Sequence, residues 1–106
     1  MKTTTRKPTS PGLMLCHEFM KLYGVTQLQL ARAMGVSREM VNALCNNRVG
    51  ITVDTALILA KVFDNTAAFW LNLQRATDIW NAENTPKRAA RIKKAAKITL
   101  RRLNNE

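Results

Sequence analysis

Apolar residues recur along this chain in bursts spaced by three and four, and each burst ends at a glycine or a polar turn. Leu13, Leu15, Cys16, Phe19, Met20, Leu22 and Tyr23 predict a first helix that starts near Ser10 and Pro11 and stops at Gly24. Thr26 is placed to cap a second helix carrying Leu28, Leu30, Ala31 and Met34, closed by Gly35. Ser37 caps a third, with Met40, Val41, Leu44 and Cys45 inward, before a polar loop from Asn46 to Gly50. Thr52 starts a fourth through Leu57, Leu59, Ala60 and Phe63, and Thr66 caps a fifth in which Phe69, Leu73, Ala76 and Trp80 recur at helical spacing. Thr85 and Pro86 open a last helical stretch. No segment alternates as a strand does, so the expected fold is all-α: a polar, flexible arm over 1–10, a five-helix domain over 11–83, and a basic amphipathic helical tail over 84–106.

The window from Gln27 to Cys45 carries the chemistry. Ala31 stands four residues before Gly35, Val41 follows Val36 by five, and Leu44 follows Val41 by three, which is helix-turn-helix spacing. A small Ala31 lets two helices approach, Gly35 can take the left-handed conformation of a tight turn, and Val36, Val41 and Leu44 pack the second helix on the first. That leaves Ser37, Arg38, Glu39 and Asn42 on the outer face. Arginine reads guanine, asparagine reads adenine and glutamate accepts from cytosine in the major groove, so this face carries base-reading chemistry. Gln27 at the start of the first motif helix, with Asn47 and Arg48 after the second, stand where such motifs hold phosphates.

Charge sharpens this picture. The 106 residues carry a formal charge of +10, which points to a polyanionic partner such as double-stranded DNA. Its distribution is uneven: residues 1–10 hold +3, residues 11–85 balance six bases against six acids, and residues 86–106 hold +7. Specific contacts are thus expected from a neutral middle, and long-range attraction from two basic ends. On a helix through the tail, Ala89, Ile92, Ala96, Thr99, Leu100 and Leu103 fall on one arc. That stripe suits docking on the domain or its dimer mate, while the basic face suits DNA phosphates or, less well, an anionic membrane surface.

Other classes find little to build on. His17 is the single histidine, and its neighbours Cys16 and Glu18 point away from it on a helix, so no catalytic dyad forms and no enzyme is expected. Cys16 and Cys45 lack metal-ligand spacing and read as small buried hydrophobes, with no metal or cofactor implied. No run is apolar enough for a membrane span or secretory leader, which makes the cytoplasm the expected compartment. Trp70 and Trp80 suit a core or a subunit contact better than a stacking platform for single strands. One helix-turn-helix reads only a few base pairs, so two copies are expected with recognition helices roughly 34 Å apart. Phe69, Trp70, Leu73, Ile79 and Trp80 of the fifth helix, more apolar surface than so small a core absorbs, are the expected homodimer joint.

The stretch from Pro11 to Leu15, the motif from Gln27 to Leu44, the turn Asn46 to Arg48, the residues Ile51, Thr52, Thr55, Ala56, Leu59 and Ala60, and above all Phe69 to Gln74 resemble the HigA/VapI family of antitoxins. The resemblance covers residues 11 to about 83, and its Phe-Trp-Leu-Asn-Leu-Gln string lies outside the generic motif. It implies a DNA-binding domain of the lambda-repressor (XRE) type. It also implies a dimeric autorepressor that binds an operator near its own promoter and neutralises a ribonuclease toxin of the RelE-like HigB class. The alternative is a stand-alone phage- or plasmid-type repressor with no toxin partner. A protein-inhibitor module that has lost DNA binding fits poorly with the Arg38 and Asn42 face.

Overall fold

The computed structural model describes residues 6–100, and among these every regular element is helical. The first helix, α1 (11–23), runs through three continuous pieces: an α turn at Pro11–Leu13, a π-helical stretch at Met14–Phe19 and an α turn at Met20–Tyr23. Ser10 Oγ caps it by accepting from the Leu13 N–H at 3.1 Å, and Gly24 closes it at φ +64°. The wide turn has a packing reason. Leu15 and Met20, five residues apart, both face the core, and the Met20 N–H donates to the Leu15 carbonyl. This shift in period leaves Leu22 80% exposed and Leu13 in solvent, whereas the apolar pattern placed both inward.

Helices α2 (Gln27–Met34), α3 (Arg38–Cys45), α4 (Val53–Phe63), α5 (Ala67–Asn84) and α6 (Pro86–Lys93) follow. The expected caps form. Thr26 and Gln29 make a reciprocal capping box, and Ser37, Thr52 and Thr66 accept from the N–H groups of Met40, Thr55 and Phe69 at 3.1, 3.2 and 3.1 Å. The core gathers Leu15, Leu30, Val41, Leu44, Leu59 and Trp70. Leu28, Met40 and Leu57, also read as inward, are exposed.

Trp70 corrects the expected dimer joint. It is 0% exposed, and its indole N–H donates to Asn65 Oδ1 at 2.9 Å. Its ring sits 5.1 Å from Phe19 and 5.2 Å from Phe69, and Phe19 lies 5.1 Å from Phe63. Offset and edge-on rings at these distances consolidate a core, so Trp70 is unavailable to a second subunit. Phe69 and Leu73 also pack against this core, half-buried. Of the five expected joint residues only Ile79 is exposed, with Trp80 half-buried beside it.

The two ends also differ from expectation. The described part of the arm lies against the domain, with the Lys7 ammonium 5.6 Å from the Trp80 ring centre. The tail helix stops at Lys93, and residues 95–100 carry no regular structure. Continuing it would set Lys93 over Lys97, like charges one turn apart, with no acid before Glu106 to relieve them. A helix this short has little stability of its own. Ile92 is exposed, so the apolar stripe is not docked, and Leu103 lies outside the described residues.

Candidate nucleic-acid interface

The turn between α2 and α3 is built as its sequence dictates. Gly35 adopts φ +73°, the Gly35 N–H donates to the Arg32 carbonyl at 3.3 Å, and the Val36 N–H reaches the Ala31 carbonyl at 3.0 Å. Ala31, Val41 and Leu44 are buried and Val36 half-buried against them, which fixes α3 across α2. Burying one face of α3 leaves the opposite one to solvent. Arg38 and Glu39 stand exposed on its first turn, where the Ser37 hydroxyl oxygen is occupied as the cap while its O–H stays available to donate.

Gln27, Arg38, Glu39, Asn42 and Arg48 line one shallow depression of about 310 Å³. Asn42 is its hub. Its Nδ2 donates to Gln27 Oε1 at 3.3 Å, and its Oδ1 accepts from Arg48 Nη2 at 3.1 Å and from Asn46 Nδ2 at 3.3 Å. Asn42 is therefore half-buried and bridging rather than standing free on the outer face, and it ties the start of α2 to the loop after α3. Arg48, with five N–H donors, keeps several for an incoming anion. The arrangement offers guanidinium forks at both edges of an amide pair, with one carboxylate beside them, and that is chemistry for base edges and phosphates.

Asn47 does not join this set. At φ +56° its Oδ1 accepts from the Gly12 N–H at 2.9 Å and its Nδ2 donates to Ser10 Oγ at 3.0 Å. Its side chain is spent on holding the start of α1, and the expected phosphate role gives way to a structural one. Gly12 is the matching residue, which sequence reasoning passed over. A Cβ there would lie 2.5 Å from the Leu44 carbonyl oxygen and 2.6 Å from that of Cys45, so only glycine lets α1 close on the end of α3. Gln74 is another: its Oε1 accepts from the Ile51 N–H at 2.7 Å, fastening the loop after α3 to α5. Met40, exposed beside the depression's helix, adds an apolar surface of the kind that meets a thymine methyl.

Residues 17–70 match the helix-turn-helix family HTH_3. The chain is 44% identical over 105 residues to YbaQ of Escherichia coli K12, an uncharacterized HTH-type transcriptional regulator, covering 96% of this chain and 93% of that protein. It is 41% identical over 100 residues to antitoxin HigA-1 of Vibrio cholerae, covering 94% of each. The solved structure of antitoxin GraA in complex with its operator resembles it with a TM-score of 0.82 at 37% identity, covering 94% of this chain and 99% of that one. These relatives are DNA-binding regulators and antitoxins, not enzymes. The chain belongs to the helix-turn-helix family, and within it to the DNA-binding proteins of HigA antitoxin type.

Proposed function

We propose that the protein is a cytoplasmic, dimeric autorepressor that reads an operator near its own promoter and neutralises a HigB-like toxin of the RelE ribonuclease fold. The observation that carries the reading is the hydrogen-bonded set Gln27, Asn42 and Arg48, held open beside Arg38 and Glu39. In this reading α3 enters the major groove. Arg38 reads guanine, Glu39 accepts from cytosine and Asn42 exchanges one partner for adenine, while Gln27, Ser37 and Arg48 hold the flanking phosphates. A relative named as an antitoxin and a similar antitoxin bound to its operator support both halves.

Coexpression with the reading frame adjacent to this gene tests it. Co-purification of that product, together with retention of upstream DNA over a scrambled fragment, is the expected result. DNA retention without co-purification would leave a stand-alone repressor, and equal retention of both fragments would remove the operator.

A further inference from the structure

A cleft of about 430 Å³ lies where the arm, α1, the end of α3 and α5 meet, and it opens to solvent. It shares no lining residue with the depression on α3. Lys7, Ser10, His17 and Thr77 bring polar groups to it, Pro8 and Leu13 bring apolar ones, and no carboxylate is among the described residues that line it. The hydrogen bonds already made decide what those polar groups can still do. Ser10 Oγ accepts from the Leu13 N–H at 3.1 Å and from Asn47 Nδ2 at 3.0 Å, which takes both lone pairs, so what it has left is its O–H. Lys7 has N–H donors only, and its ammonium is held 5.6 Å from the Trp80 ring centre. The Thr77 hydroxyl oxygen is buried and finds no hydrogen-bond partner among the described residues, a costly state that folded proteins seldom leave uncompensated.

We propose that this cleft binds a small phosphate monoester, its phosphate held by Lys7, Ser10 and Thr77 and its organic part laid against Pro8 and Leu13. One ammonium and two hydroxyls that donate match the three terminal oxygens of such a group, and a charged donor to a phosphate oxygen makes the stronger kind of hydrogen bond. His17 adds an N–H in either protonation state. A cationic or amine ligand would meet Lys7 with no carboxylate to balance it. The volume lies in the range of clefts that take small organic ligands, beyond what a phosphate alone fills. A DNA backbone offers the same phosphate chemistry, but the apolar wall of Pro8 and Leu13 suits the carbon skeleton of a free ester. Bound there, the ester ties the arm and α1 to α5. Sequence spacing gives no sign of this, since Ser10 and Thr77 meet only through the fold.

The test is calorimetric titration of the full-length protein with ribose 5-phosphate at fixed ionic strength. One ligand per chain is expected. Thr77→Val keeps the side chain's shape and removes a hydroxyl that the fold does not use, so the variant should fold, and its affinity should fall about tenfold, the scale of one hydrogen bond to a charged group. Lys7→Gln should lose as much. Arg88→Gln, on the basic α6 and outside the cleft, should bind as the parent does, which separates the site from general attraction to a basic chain. Unchanged affinity in folded Thr77→Val, or an equal loss in Arg88→Gln, would overturn the proposal. So would failure of ribose 5-phosphate to bind at millimolar concentration; if Thr77→Val then weakened upstream and scrambled DNA alike, the phosphate would belong to DNA. The titration itself contains no DNA, so its result stands apart from the operator reading.

Discussion

At the scale of single residues, the fold turns on contacts between positions far apart in the chain. Gly12 meets the Leu44 and Cys45 carbonyls, and a methyl group there must push backbone apart. Gly12→Ala is expected to cost about 1–3 kcal/mol, as overpacking does, read as a lower denaturation midpoint with an unchanged m-value. An unmoved midpoint would mean that α1 shifts freely on α3. Ala31, Gly35, Val36, Val41 and Leu44 were legible because their roles are set by spacing within one motif. Gly12, Asn47 and Gln74 were not, because their partners lie on other elements and no local pattern encodes such pairings. Asn42 fell between the two: its place on α3 was legible, while its bonds to Gln27 and Arg48 were not.

At the scale of elements, the starts of α1 to α5 were readable because each carries a side-chain acceptor for an N–H three residues on, and that of α6 because it opens on Pro86. The π-helical stretch was hidden, since its five-residue period overlays apolar residues that also satisfy a period of 3.6. The end of α6 was hidden too, because an amphipathic wheel says nothing of like charges stacked a turn apart. Lys87, Arg88, Arg91, Lys93 and Lys94 nonetheless stand exposed on or beside α6, and Lys97 follows on the irregular chain. If these bases meet phosphates, each contact adds close to 0.9 to the slope of log affinity against log salt. Deleting residues 87–106 should then flatten that slope by several units and weaken operator and scrambled DNA alike. An unaltered slope would assign the tail no phosphate contact.

At the scale of the whole molecule, a neutral helical body carries its charge at two ends, which predicts that attraction to DNA and reading of DNA are separable. With Trp70 sealed in the core, the expected joint on α5 is reduced to Ile79 and the edge of Trp80. Sedimentation equilibrium should show a dimer at micromolar concentration, weakened by Ile79→Asp with its helical content intact. A monomer that still binds the operator as tightly would remove the two-copy arrangement. The central claim is that the outer face of α3 reads sequence, and the most direct test is the affinity of Arg38→Ala for the gene's own upstream DNA and for a scrambled duplex at one salt concentration. The account predicts a loss of about 1–3 kcal/mol on the upstream site with scrambled binding nearly unchanged, and equal losses on both duplexes would contradict it.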